Sequence, residues 1–359
     1  MIYFTLIVVS SLIFLITKKY SAKYYIWITF ILLFLLAACR NITLWNDLIG
    51  YERKHIIISN IMEWKIFLSS FLATSKDVGY YIVEWLLTRI GISFQEWIAL
   101  IAAFFLYVIG KLIYKKSYYP LVSVMLFLAL GFYSFSMSGL RQTIAIAITV
   151  KAYFQLDKGY NFKFILLVCI ATLFHKTACI FIILLFLKNT RLGKFHILGS
   201  IVGLLGFFIF NNQLRQFLNT YFFTDNYSFY STSNITMNYT KFIILMVIFI
   251  FCLYYYKAIT LNSIMKMSAL EKKYLKIQNP LLLYNSLFLG VVFQLYSSFF
   301  AEMFRVSMYF SLYSILLVPL CLKTEKKRKV RFILNISIYV VLFIYIIISG
   351  GLGVNYQTF

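Results

Sequence analysis

The residues best placed to do chemistry lie between Ser138 and Ala178. This stretch reads S-G-L-R-Q-T-I-A-I-A, then an apolar run to Leu156, a polar break from Asp157 to Asn161, and a second apolar run ending in L-F-H-K-T-A. Arg141 and His175 therefore stand at the ends of hydrophobic segments, in a chain with only 3 histidines. An ionisable group at the rim of a membrane segment is costly unless it has a partner or a task. A Ser-Gly pair at a helix start lets backbone N–H groups approach a phosphate while a guanidinium supplies a two-pronged fork. Arg141 thus reads either as an anion binder or as half of a structural ion pair with Asp47, Glu84 or Glu302. His175 stands beside Lys176 and Thr177 at the tip of a predicted hairpin, where solvent and substrate reach it, and reads as catalytic or directly substrate-binding. His55, among Arg53 and Lys54, and His196, beside Lys194, read as ordinary surface residues.

Composition sets the elements that must position these groups. The chain has 359 residues, is 62% hydrophobic and 20% aromatic, and contains 3 prolines; its mean hydropathy is +0.85. A soluble domain with one core per roughly 100–200 residues does not need so much apolar sequence, whereas a bundle of membrane helices does. The expected fold is all-α, a polytopic transmembrane bundle forming a single integral membrane domain over residues 1–359. A formal net charge of +23 would suit nucleic acid. The Lys and Arg residues instead sit in short clusters between apolar runs, as the positive-inside rule expects, so nucleic acid is set aside as a partner in favour of the bilayer. The 5 cysteines (Cys39, Cys169, Cys179, Cys252, Cys321) are odd in number and lack a C-x-x-C. They read as small buried apolar residues, with no disulfide and no metal site. No G-x-x-x-x-G-K-[ST], H-E-x-x-H or G-x-G-x-x-G occurs, so neither ATP hydrolysis nor zinc proteolysis is indicated, and no cofactor is expected.

With lysine clusters marking the cytoplasm, the apolar runs alternate consistently. Ile2 to Thr17 reads as a retained helix with its N-terminus outside, followed inside by Lys18, Lys19 and Lys23. Tyr24 to Cys39 returns outward to Arg40. Residues 40–96 then form a long external loop of partly helical character that holds Asp47, Tyr51, His55, Glu63, Asp77 and Glu84. Trp97 to Tyr114 runs inward, Leu121 to Phe135 outward and Ile144 to Leu156 inward. Phe162 to Leu187 decides the map. As a single pass it would place every later basic cluster outside; as a short broken or re-entrant hairpin turning at His175 it restores the rule. Ile197 to Phe210 then runs outward to a second external loop at 211–240, and Phe242 to Tyr256 returns inward. Leu281 to Phe300, Met308 to Leu322 and Phe332 to Ser349 complete about twelve membrane segments. In this map Arg40, Asp47, Arg141, His175, Glu302 and Arg305 all fall on or just beneath the external side. Arg305 lies three residues after Glu302, which allows plain pairing as well as a functional role. Arg40 ends a helix and either snorkels or binds an anion.

Several short patterns carry a resemblance. They are R-N then N-D with a following Tyr (Arg40, Asn41, Asn46, Asp47, Tyr51), an acidic residue near G-Y (Gly79, Tyr80, Glu84), R-Q-x-I-A (Arg141 to Ala145), F-H-K-T-A (Phe174 to Ala178) and a late R-x-x-x-Y-F (Arg305 to Phe310). Together, over about residues 25 to 320, they resemble the EpsG-like branch of the Wzy-type polymerases, bacterial membrane enzymes that polymerise lipid-linked oligosaccharide repeat units. Two departures stand out. Trp45 and Asn46 precede Asp47 where the family commonly has a glycine, and Thr177 replaces a serine.

The resemblance implies a GT-C-like glycosyltransferase of O-antigen, capsule or exopolysaccharide synthesis in the bacterial inner membrane, its site facing outward. Donor and acceptor would be undecaprenyl-pyrophosphate-linked oligosaccharides. Arg141, Arg305 and Arg40 would stabilise the leaving pyrophosphate, with Gln142, Lys176 and Tyr51 beside them. His175 would be the base or a donor to the pyrophosphate, with Asp47 as the rival base. A polysaccharide co-polymerase that sets chain length and a flippase are further implied partners. Two other readings stay open: a flippase for the same lipid-linked glycan, and a membrane acyltransferase acting on glycans. The first predicts internal repeats, which the sequence does not show. The second predicts His175 near the cytoplasmic face.

Overall fold

Long apolar runs with few prolines leave the helix as the way to satisfy the backbone away from water, and the regular structure is helical, with no strand among the described residues. The computed structural model describes the chain apart from residues 1, 18–19, 45, 72, 74, 211–212, 214–215, 217–238, 262–275, 299–301 and 349–359. The expectation for residues 211–240 therefore falls almost wholly outside the described residues.

The chain begins with α1 (Ile2–Thr17) and α2 (Ala22–Ala38). Residues 40–96 then carry α3 (Asn46–Asn60) and α4 (Val78–Arg89), joined through a short π-helical turn at Phe67–Phe71. The long helix α5 (Phe94–Lys116) starts on a capping box. Glu96 accepts from the Ser93 backbone N–H at 2.7 Å while the Ser93 hydroxyl accepts from Glu96 N–H, so two of the donors orphaned at a helix start are satisfied reciprocally. Next come α6 (Pro120–Ala129) and α7 (Phe132–Ser138), bent by 50° against each other. Gly131 makes the bend with a left-handed φ of 79°, a conformation that a side chain would strain.

Helix α8 (Leu140–Asp157) and α9 (Asn161–Phe174) pack together as an antiparallel pair across a short turn. The chain reverses at His175 into a 3₁₀ segment (Lys176–Ile182) that continues as α10 (Ile183–Leu187). At rises of about 1.5 and 2.0 Å per residue, α9 and this return leg each reach about 21 Å. The stretched 3₁₀ turns let the shorter return leg match its partner, and Lys188 donates to the Asn161 side chain where the two legs meet again. The hairpin expected over Phe162 to Leu187 is thus present, each leg shorter than a full span of about 30 Å.

The remaining helices are α11 (Lys194–Ile209), α12 (Tyr239–Tyr254), α13 (Tyr256–Leu261), α14 (Pro280–Tyr296), α15 (Met303–Ser311), α16 (Ser314–Thr324) and α17 (Arg328–Ile348). Among the described residues, three helical stretches are long and apolar enough to cross a membrane, namely α5, the run Met303–Thr324 and α17, or four if the bent pair α6–α7 counts as one span. Several more apolar helices are shorter. Helix α17 shows Phe332, Ile333, Ile336, Val340, Ile344 and Ile347 on the outside. A surface this apolar belongs against lipid rather than water.

Inside, polar groups are tied to the backbone. The Tyr133 hydroxyl donates to the Leu33 carbonyl at 2.7 Å and the Tyr284 hydroxyl to the Cys252 carbonyl at 2.9 Å, so a large aromatic body is buried without an orphaned hydroxyl. All 5 cysteines are free, but only Cys252 and Cys321 are buried; Cys39 and Cys169 are exposed, which corrects the expectation of five buried thiols.

Asp157 fastens three helix ends at the bottom of α8. One oxygen faces Lys116 at 2.6 Å, and the other accepts from the Gln278 and Asn279 backbone N–H groups at 3.2 and 2.8 Å. Removing one partner of a buried pair strands the others, at a cost of about 3–5 kcal/mol. Asp157→Ala is expected to lower the thermal unfolding midpoint of the detergent-solubilised protein clearly, and Asp157→Asn to lower it less; an unchanged midpoint in the alanine variant would refute this role.

Candidate functional site

The end of the bundle at which α8 begins is also the end at which α9 stops, because the two helices run antiparallel. Arg141 and His175, far apart in sequence, are thereby brought to one level. What joins them is Asp77, at the start of α4.

Gly79 makes the approach possible. A Cβ built there would lie 2.9 Å from Leu173 Cβ and 3.1 Å from the Leu173 carbonyl carbon. Only a residue without a side chain lets α4 lie against the last turn of α9. Asp77, two residues before Gly79, then meets His175, two residues after Leu173. Asp77 occupies the N-cap position of α4, yet its side chain makes no capping bond, although a carboxylate there normally binds its own helix. Its oxygens turn elsewhere. Oδ2 faces Arg141 Nη1 at 2.7 Å and His175 Nδ1 at 3.3 Å, and Oδ1 accepts from the Lys176 backbone N–H at 3.1 Å.

Burial works against the charged form of Asp77. The hydrogen bond and charge of His175, with the charge of Arg141 and the Lys176 N–H, outweigh it and hold the carboxyl below its ordinary range. With Nδ1 directed at a carboxylate, the imidazole proton belongs on Nδ1, which leaves the lone pair on Nε2. Against the expectation that solvent reaches it, His175 is only 7% exposed, and its buried Nε2 has no hydrogen-bond partner among the described residues.

Arg141 is held further by Tyr51. Its Nε donates to the Tyr51 hydroxyl at 2.9 Å, and the guanidinium carbon lies 5.4 Å from the centre of the Tyr51 ring. Gln142 donates to the Arg305 carbonyl at 2.6 Å, fixing the start of α8 to α15. Arg305 lies close enough for its charge to act on Tyr51, His175 and Tyr309. The Thr177 hydroxyl reaches Tyr309 Oη at 3.5 Å.

A second pair stands behind the first. His55 Nδ1 and Glu84 Oε1 are 3.1 Å apart. Burial raises the Glu84 carboxyl above its usual range in spite of the hydrogen bond and charge of His55. The expectation that His55 is an ordinary surface residue is therefore corrected: it is 6% exposed and paired. His196 is half-buried, with Nε2 3.3 Å from the Thr190 hydroxyl.

Of the residues singled out from sequence, the structure brings together His175, Arg141, Gln142, Tyr51, the backbone of Lys176, and Arg305. Arg141 pairs with Asp77, not with Asp47, Glu84 or Glu302 as the structural reading had it. Asp47 sits in the first turn of α3 and, among the described residues, forms no hydrogen bond or ion pair with the cluster. Arg40 is buried at the end of α2, where Nη1 donates to the Ala37 carbonyl, and Gln95 donates to the carbonyls of Ala38 and Arg40. Asp77 is the residue that sequence reasoning passed over. It is one of the acids of the 40–96 stretch, whereas the acid in the pattern near Gly79-Tyr80 is Glu84. The signal was its spacing, two residues before that glycine.

Among the described residues, no group of three or more His, Cys, Asp or Glu side chains comes together as a metal would need. The arrangement can instead do two things. A carboxylate-oriented imidazole can take a proton at Nε2, and the fixed Arg141 guanidinium, with Arg305 nearby, can face developing negative charge.

No curated protein and no solved structure matches the chain. The family model described as the EpsG family matches residues 23–358, which takes in every residue of the cluster and extends past the stretch that carried the resemblance. On that match, and with its apolar helical build, this helical membrane protein belongs to the EpsG family.

Proposed function

We propose that the protein is a polysaccharide polymerase of the bacterial plasma membrane, a glycosyltransferase that joins undecaprenyl-pyrophosphate-linked oligosaccharide repeat units with its site facing outward. The observation that carries this reading is His175. Its Nδ1 is committed to Asp77, and its Nε2 is unpartnered beside two arginines.

In this reading an acceptor hydroxyl gives its proton to Nε2 as its oxygen attacks the anomeric carbon of the donor. The new C–O bond forms while the bond from that carbon to the pyrophosphate oxygen breaks. Lipid pyrophosphate leaves with the electron pair. Arg141 and Arg305 face the charge that develops on it, and a site sheltered from water makes that attraction stronger than it is in solution. Arg141 has Nη1 and Nε already committed, which fixes the plane of the guanidinium and leaves Nη2 for a phosphate oxygen. Asp77 is a positioning residue: it sets the tautomer of His175 and the plane of Arg141 with one carboxylate. Arg40 and Asp47, outside this cluster, are assigned to the path of the substrates. The lysine clusters between apolar runs support the outward placement and about twelve passes, including the short hairpin.

The test is polymer formation in liposomes, using the lipid-linked repeat unit extracted from native membranes and no added nucleotide. Wild type is expected to give a ladder of products, and His175→Ala to lower its rate by about 10²–10⁴-fold, as loss of a general base does. Transfer of the lipid-linked unit across the bilayer without a ladder would instead make the protein a flippase. Arg141→Lys keeps the charge but loses the fork, and is expected to lower the rate at saturating substrate by more than about tenfold. Asp77→Asn removes the negative charge beside His175, so the imidazolium becomes less stable and the acidic limb of the pH–rate profile moves to lower pH. A profile that keeps its position in Asp77→Asn would remove Asp77 from this role.

A further inference from the structure

The opposite end of α8 carries a second concentration of charge. Lys111, Lys115 and Lys116 of α5, Lys151 of α8 and Lys158 at its C-cap converge on one crevice of about 490 Å³ that Leu167 of α9 also lines. Lys116 is neutralised by Asp157. The other four are exposed, and none forms an ion pair among the described residues. Lys111 donates to the Tyr107 hydroxyl at 3.3 Å, and the Lys151 ammonium lies 4.7 Å from the Phe104 ring; these contacts orient the charges without cancelling them.

The helix dipole favours cations in the last turn only. That accounts for Lys115, Lys116 and Lys158. It does not reach Lys111 and Lys151, which are exposed but lie more than a full turn inside their helices. Bringing four such groups around one cavity is unfavourable unless an anion enters it. Val108, Phe154 and Leu167 give the crevice an apolar stretch of lining. A free phosphate would leave that stretch uncovered, whereas a lipid would cover it.

We propose that this crevice holds the phosphate head group of an anionic membrane phospholipid, its acyl chains lying along Val108, Phe154 and Leu167. The site is separate from the Asp77 cluster, because Lys151 and Phe154 lie well beyond Arg141 along α8, about 15–20 Å up its axis. It does not rest on the proposed polymerase activity.

Native mass spectrometry of the full chain, released from nanodiscs of phosphatidylcholine and phosphatidylglycerol with matched acyl chains, tests this directly. Wild type is expected to retain one phosphatidylglycerol in preference to phosphatidylcholine. The quadruple variant with Lys111, Lys115, Lys151 and Lys158 changed to Gln is expected to lose at least about tenfold in that preference, since each lysine near a lipid phosphate contributes measurably. The same four positions changed to Arg should keep it, which separates lost charge from lost fold. A control with Lys326, Lys327, Lys329 and Arg331 changed to Gln should also keep it. Equal retention by the Gln quadruple, equal loss in the control, or full displacement of the lipid by millimolar inorganic phosphate would each overturn the proposal, the last by making the crevice a soluble-anion site.

Discussion

A carboxylate taken out of water must be answered by positive charge and hydrogen bonds, and the bonds of Asp77 to Arg141, His175 and the Lys176 N–H are that answer. The requirement shapes much of what surrounds it. Helix α4 starts without its own cap because the capping side chain is used elsewhere. Gly79 has no side chain because α4 must lie on the last turn of α9. Tyr51 is placed to hold the far side of the same guanidinium. Three segments distant in sequence are thereby held in one geometry, more tightly than apolar packing, which has no direction, would hold them.

The short hairpin follows from the same need. Two legs of about 21 Å are each shorter than a full span of about 30 Å. The turn at His175 instead meets the beginning of α8 and the side of α4, within the protein. Irregular backbone at membrane depth is tolerated only where protein or a water-filled cavity surrounds it. Here the freed Lys176 N–H is taken by Asp77 and the Ala178 N–H by the His175 carbonyl at 2.9 Å. The bent pair α6–α7 is a second interruption, and it ends just before the Ser138-Gly139 step that opens α8.

Charge is divided along α8 in a way that links the two ends without mixing them. At one end Arg141 is buried and held by a carboxylate and a tyrosine hydroxyl, with the half-buried Arg305 nearby. At the other, the lysines are exposed on flexible stems, with a single aspartate tying helix ends together. Arginine suits the first setting because its planar fork is already organised for two partners, and lysine suits the second because it reaches outward to water or lipid.

Composition and the spacing of apolar runs were enough to specify helices, a membrane setting and the need for a hairpin between Phe162 and Leu187, because hydropathy and charge act locally and leave a periodic trace. Arg141 and His175 were equally legible, as rare charged or titratable groups at the rims of apolar runs. Asp77 and the burial of His55 were not. Their importance comes from partners up to about a hundred residues away, and nothing in local patterning says which of several carboxylates a guanidinium will meet. That choice was made by the close approach of α4 and α9 at Gly79, a contact between backbones that exists only once the helices are packed.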